Sequence, residues 1–131
     1  MGLLLDTAAL LWLFAIPEKL SPRLREELAA ADTQVAVSIV SLWEVLIKLG
    51  KGKLELDTQG QSALDFLLEQ CGLHQIDILS VAPGSLAALE KLPPIHKDPF
   101  DRLLICQAIE HGLTLVTPDN HIRRYPIRTL W

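Results

Sequence analysis

The sequence predicts an α/β domain: a central parallel sheet of about five short strands with helices on both faces. Two observations carry that expectation. Short apolar or β-branched runs of strand length recur along the chain, and most are separated by segments of about ten residues bounded by helix-capping signals. Parallel strands need such crossovers, and right-handed crossovers cover a sheet on both faces.

The elements follow in order. Leu3-Leu4-Leu5 is an apolar run ending at Asp6, and Thr7–Phe14 is apolar nearly all round, the mark of a buried helix. Ser21-Pro22 supplies the N-cap and first position of a helix over Pro22–Ala31, with Asp32-Thr33 as its exit turn. Gln34–Val37 reads as a buried strand. Ser41-Leu42-Trp43-Glu44 has the spacing of a capping box, opening a helix that stops at Gly50. A helix near Ser62–Cys71 ends at Gly72, a strand Leu73–Leu79 follows, and Ala82–Lys91 is a helix broken by Pro93-Pro94. Asp98-Pro99 opens a helix through His111 to Gly112. Leu113–Thr117 is a strand, Asp119–Arg124 a turn or short helix, and Ile127–Leu130 the last strand. With no repeat or linker in 131 residues, one domain over 1–131 is expected.

Composition removes several function classes. Half the residues are apolar and 21% are charged, which excludes a disordered chain. A net charge of −4 excludes nucleic-acid binding by bulk charge, so any polyanion must be held locally. Cys71 and Cys106 have no CxxC or His spacing, which argues against disulfides or zinc and for a reducing, cytoplasmic setting. Leu3–Ile16 is too short for a membrane span and is interrupted by Asp6, so no membrane association is expected. The absence of a Gly-rich turn after the first strand excludes a dinucleotide-binding domain.

Ligands of parallel sheets collect at the carboxyl ends of the strands. Asp6, Glu44, Asp101 and Asp119 all fall just after a strand or in the first turn of a helix, on one predicted edge. Each alone has a structural reading: Asp6 as N-cap, Glu44 as the capping-box partner of Ser41, Asp101 as the partner of N-cap Asp98, Asp119 as a turn residue. Two features point further. Glu44 and Lys48 are the only charges in an otherwise apolar helix, and converging carboxylates repel unless a cation lies among them. Oxygen-only ligands suit Mg²⁺ or Mn²⁺.

In order along the chain, Leu3-Leu4-Leu5-Asp6-Thr7, Ser41-Leu42-Trp43-Glu44-Val45, His96-Lys97-Asp98-Pro99-Phe100-Asp101-Arg102-Leu103-Leu104-Ile105, Leu115-Val116-Thr117-Pro118-Asp119 and terminal Leu130-Trp131 resemble a PIN-domain ribonuclease of the VapC toxin type. The resemblance implies an acidic quartet of Asp6, Glu44, Asp101 and Asp119, acting as catalytic residues and as ligands of Mg²⁺, for which Mn²⁺ can substitute. It implies supporting roles for Thr7 and Thr117, with Asp98 as cap or alternative ligand. The implied reaction is hydrolysis of an RNA phosphodiester to a 5′-phosphate and a 3′-hydroxyl. The implied partners are a small VapB-like antitoxin and a second copy of the chain.

RNA contacts need local cations. Residues 91–131 hold 6 Lys+Arg against 4 acids, whereas residues 1–90 hold 6 against 12. Lys48, Lys97, Arg102, Arg123 and Arg124 are therefore the candidates for RNA binding. The four histidines have no ligand spacing and read as surface or loop residues, with His96 and His121 able to touch phosphate. Trp12, Phe14 and Ile16 exceed what one helix buries on one sheet and suggest a partner surface. Two other readings remain open at this level: a catalytically silent PIN-like module for dimerisation or regulation, and a Mg²⁺-dependent phosphotransfer or phosphatase domain.

Overall fold

The computed structural model describes residues 2–131. Its sheet has five strands, β1 (Gly2–Leu5), β2 (Gln34–Ser38), β3 (Ile76–Leu79), β4 (Thr114–Val116) and β5 (Thr129–Leu130), in the order β3-β2-β1-β4-β5. Every pairing is parallel. Among the described residues there are six α-helices: α1 (Thr7–Ala15), α2 (Pro22–Ala29), α3 (Ile39–Gly50), α4 (Ala63–Leu73), α5 (Pro83–Lys91) and α6 (Pro99–His111). Single 3₁₀ turns lie at Pro17–Lys19 and Ile122–Arg124.

The alternation of side chains along the strands divides the interior in two. Leu3, Leu5, Val35, Val37 and Val116 join one core with Leu10 of α1, Leu24 of α2, Val45 of α3 and Leu67 of α4. Leu4 pairs in register with Ala36 and Leu115, and these face the opposite core with Leu104, Ile105 and Ala108 of α6 and Tyr125. The sheet is thus covered on both faces, and β1 at its centre is fully buried from Leu3 to Leu5. Truncating a leucine at such a site costs about 2–5 kcal/mol.

Several boundaries depart from expectation. Helix α3 begins one turn early: Ser38, the last residue of β2, caps it by accepting from the Val40 N–H at 3.1 Å. Ser41 therefore falls inside the helix, and Glu44 lies too far along it to close a capping box. The Ser41 hydroxyl is buried and has no hydrogen-bond partner among the described residues. Helix α4 runs through Gly72, because a glycine near a helix end costs only about 1 kcal/mol; the left-handed turn falls at Gln75 (φ 56°) instead. That shortens β3 to Ile76–Leu79, three residues less than predicted. Strand β5 keeps only Thr129–Leu130, since a tight turn from Tyr125 takes up Ile127. Helix α2 ends at Ala29, before the predicted Ala31.

The apolar excess on α1 is partly used within the chain. Trp12 packs against Trp131 with ring centroids 5.0 Å apart, the Lys19 ammonium lies over Trp12, and Phe14 meets His74. The more exposed large apolar side chains lie elsewhere, led by Leu73 (69%) and Trp43 (59%).

Candidate active site at the carboxyl edge of the sheet

Asp6 stands where β1 becomes α1, and both uses of that position are realised together. Its backbone N–H continues the β1–β4 ladder to the Val116 carbonyl at 3.0 Å. One carboxylate oxygen caps α1 by accepting from the Ala9 N–H at 2.8 Å; the other accepts from the Thr117 hydroxyl at 2.6 Å. Burial pushes the Asp6 carboxyl up, the two hydrogen bonds pull it down, and the charges of Asp119 and Glu44 push it up further.

Glu44 reaches the same place from the second turn of α3. Thr7 donates its hydroxyl to Glu44 Oε1 at 2.7 Å, and Lys48, one turn on, approaches Glu44 Oε2 at 3.1 Å. The lone charged pair of α3 is thus an i,i+4 ion pair on the wall of the cleft, with Lys48 side-chain exposure of 44%.

The other wall comes from α6 and the segment after β4. Asp98 caps α6, accepting from the Phe100 and Asp101 N–H groups at 2.8 and 3.2 Å, while Pro99 occupies the first helical position. Gly112 closes the helix in a left-handed conformation (φ 65°). This fixes Asp101 in the first turn. Its carboxyl is raised from 3.8 to about 7, chiefly by burial, then by the charge of Asp98; the hydrogen bond and charge of His96 lower it, and Glu44 raises it. Asp119 follows β4 in an Asx turn, accepting from the His121 and Ile122 N–H groups at 2.7 and 3.3 Å. The Thr117 hydroxyl accepts from the Asp119 N–H at 3.0 Å, so Thr117 links Asp6 to Asp119.

These residues surround a cleft of about 390 Å³ lined by Asp6, Thr7, Glu44, Lys48, Asp98, Asp101 and Asp119, with Trp12 and Leu11 on its apolar side. All four acids selected from the sequence face it, as do Thr7, Asp98 and Lys48. Thr117 is fully buried beneath it.

The remaining cations separate. Lys97, Arg123 and Arg124 are exposed. Arg102 is otherwise engaged than as a cation free for RNA: its guanidinium donates to the carbonyls of Leu92, Pro93 and His96 at 3.1–3.4 Å, and to the Tyr125 hydroxyl at 3.4 Å. It braces the segment before α6 by tying three of its carbonyls to the helix.

His96 is the residue that spacing did not reveal. Its Nε2 lies 2.8 Å from Asp101 Oδ2 and 3.4 Å from Asp119 Oδ2. Among the described residues, His96, Asp101 and Asp119 form a group whose donor atoms all lie within 4.8 Å of one another. His96 is not itself on the lining of the cleft; it joins the site through Asp101 and Asp119, which are, and adds an imidazole to the carboxylate oxygens there. The sequence signal available was His96 two residues ahead of the cap Asp98 and five ahead of Asp101.

Comparison with known proteins agrees with this architecture. The PIN domain family matches residues 3–127. Ribonuclease VapC22 of Mycobacterium tuberculosis is 31% identical over 123 residues, covering 93% of this chain and 90% of that protein. Among solved structures, VapBC2 from Rickettsia felis, bound to a DNA fragment from its promoter, superposes with a TM-score of 0.72 at 23% identity, over 99% of this chain and 98% of that one. VapBC-1 from nontypeable Haemophilus influenzae gives a TM-score of 0.68 at 14% identity, over 99% and 97% of the two chains. These two share the fold. The family match across nearly the whole chain, with the identity to a named relative over the same span, shows that the chain belongs to the PIN domain family.

Proposed function

We propose that the chain is a Mg²⁺-dependent endoribonuclease of the VapC type, the toxin of a toxin–antitoxin pair, working in the cytoplasm as one domain over residues 1–131. The observation that carries this reading is the convergence of Asp6, Glu44, Asp101 and Asp119 on one cleft at the carboxyl edge of the sheet. Ribonuclease VapC22, a relative at 31% identity, is named for that activity.

The donor set fits a divalent cation. Burial first, then the charges of Asp119 and Glu44 on Asp6 and of Asp98 and Glu44 on Asp101, hold both carboxyls above the ordinary carboxylate range, a penalty that a dication in the cleft would relieve. Asp6, Glu44, Asp101 and Asp119 would hold it, with Mn²⁺ able to replace Mg²⁺. Bound there, the ion supplies Lewis acidity toward the scissile phosphate and lowers the pKa of water for in-line attack.

The chain's own residues position the rest. Thr117 and the Ala9 N–H fix the Asp6 carboxylate, Thr7 turns Glu44 inward, and Asp98 sets the first turn of α6 that presents Asp101. Lys48 beside Glu44, and exposed Lys97, Arg123 and Arg124, supply the local positive charge for an RNA backbone that the net charge of −4 does not.

Its protein partners are a VapB-like antitoxin and a second copy of the chain. A pairing surface is supported by exposed apolar residues one turn apart on packed helices, Ile39 and Trp43 on α3 and Leu64 and Leu68 on α4. No helix among the described residues is long and apolar enough to cross a membrane.

The test is cleavage of single-stranded RNA by the purified protein with Mg²⁺, with chelator, and with Asp6→Asn or Asp101→Asn. Cleavage that needs the ion and both carboxylates is expected. Cleavage indifferent to chelator and to both substitutions refutes the reading.

A further inference from the structure

The four-carboxylate reading leaves His96 unused, although its backbone and its ring are both held in place. The backbone around it is anchored by buried Tyr125, whose hydroxyl accepts from the N–H groups of Ile95 and His96 at 3.1 and 2.9 Å and donates to the Pro93 carbonyl at 2.7 Å. Arg102 clamps the same stretch through three carbonyls, including that of His96. The His96 ring lies near-parallel to that of His121, centroids 5.2 Å apart and planes at 29°. Its side chain is only 13% exposed.

All of this aims one nitrogen, Nε2, at the gap between Asp101 and Asp119. On the other side of the ring, the Asp98 N–H donates to Nδ1 in a long contact of 3.5 Å, which leaves the proton of the neutral ring on Nε2, facing the carboxylates. A dication between the carboxylates would favour the tautomer with the proton on Nδ1, and Nε2 would then join two carboxylate oxygens whose positions lie within 4.8 Å of it and of each other.

We propose that His96 is a ligand of the metal site, its Nε2 joining Asp101 and Asp119 and biasing the cleft toward first-row transition dications over Mg²⁺. This rests on the reading of the cleft as a divalent-metal site and deepens it. The bias follows from donor chemistry: Mg²⁺ takes oxygen ligands almost exclusively, whereas an imidazole nitrogen favours transition ions increasingly along the series from Mn²⁺ toward Ni²⁺. Arg102 and Tyr125 are then positioning residues, acting on the metal only through the placement of His96.

The test loads the full chain with Mn²⁺ and records electron spin-echo modulation. Modulation from a directly bound imidazole ¹⁴N is expected, and its disappearance in His96→Gln assigns it. In parallel, Mg²⁺ and Co²⁺ each compete against bound Mn²⁺ in both proteins. His96→Gln is expected to lower Co²⁺ affinity roughly 10–100-fold and Mg²⁺ affinity by less than about threefold. Bound Mn²⁺ without ¹⁴N modulation in the unsubstituted protein overturns the proposal, and that measurement needs no variant to fold. An equal loss for both ions also overturns it, since His96 would then only hold the carboxylates in place. A protein that binds no Mn²⁺ at all refutes the metal-site reading itself.

Discussion

The two walls of the cleft carry the same kind of charge but settle it differently. On the wall of β1, α1 and α3, Asp6 and Glu44 are met by hydroxyl groups, from Thr117 and Thr7, and by one lysine. On the wall of α6 and β4, Asp101 and Asp119 converge on the imidazole of His96. Hydroxyl donors hold a carboxylate still without changing its charge. A histidine also offers a lone pair, and so can change partners when a cation arrives. The contrast sets a wall settled by hydroxyl groups at the sheet centre against one settled by an imidazole at the start of α6.

The largest effects should come from neutralising one acid on each wall. Asp6→Asn and Asp101→Asn are each expected to lower RNA cleavage by about a thousandfold or more, since several kcal/mol of electrophilic stabilisation depends on the ion they hold. Both variants should fold: asparagine is as good an N-cap as aspartate, and either change removes a buried carboxylate held above its ordinary range. Unequal losses in single-turnover assays would rank the walls.

Next is the response to ion and pH, read by thermal unfolding. The Asp101 carboxyl titrates near 7 in the fold and near 3.8 when free, so between those values the folded chain keeps a proton that the unfolded chain has lost. Stability of the metal-free protein therefore falls as pH rises from about 4 to about 7, and Asp6 shifts in the same direction. Asp101→Asn should flatten that slope. Saturating divalent ion, at about a hundred times its dissociation constant, should add about 2.7 kcal/mol, read as a rise in Tm. A metal-free protein that gains stability across this pH window would break the comparison, because the α6 wall would then carry no buried-charge penalty.

Tyr125→Phe tests how the α6 wall is built. It removes the acceptor of two backbone N–H groups and should cost about 1–3 kcal/mol in chemical unfolding. Metal affinity should fall with it, while Thr117→Val acts on Asp6 instead.

The smallest effects sharpen the division among cations. Alanine at Lys97, Arg123 or Arg124 should leave stability within about 0.5 kcal/mol. Each that touches a phosphate should reduce the salt dependence of single-stranded RNA binding by about 0.7 in log–log slope. Arg102→Ala should do the reverse, lowering stability with little change in slope, because its guanidinium is spent on backbone carbonyls.

Local chemistry made much of this molecule legible in the sequence. The run Leu3–Leu5 ending at Asp6, the Asp98-Pro99 start and Gly112 stop of α6, and Asp119 just past β4 all rest on signals that act within about four residues: caps, a fixed proline φ, a left-handed glycine. Where two local signals competed, the fold chose between them. Ser38 took the cap of α3 from Ser41 because β2 feeds directly into the helix, and so freed Glu44 for the cleft.

The pairings across long stretches of chain come from packing alone. Thr117 meets Asp6 across 111 residues, Thr7 meets Glu44 across 37, and Tyr125 anchors His96 across 29. None of these has a spacing that marks it in the sequence, since the partners are set by strand order and by which helix crosses which edge. Local signals in the chain already say which residues carry charge to the end of each strand; the packing of α6 against the sheet places His96 beside Asp101 and turns Arg102 onto backbone carbonyls. A hydrogen bond or ligand contact depends on distance in space, whereas the code for strands, caps and turns depends on distance along the chain.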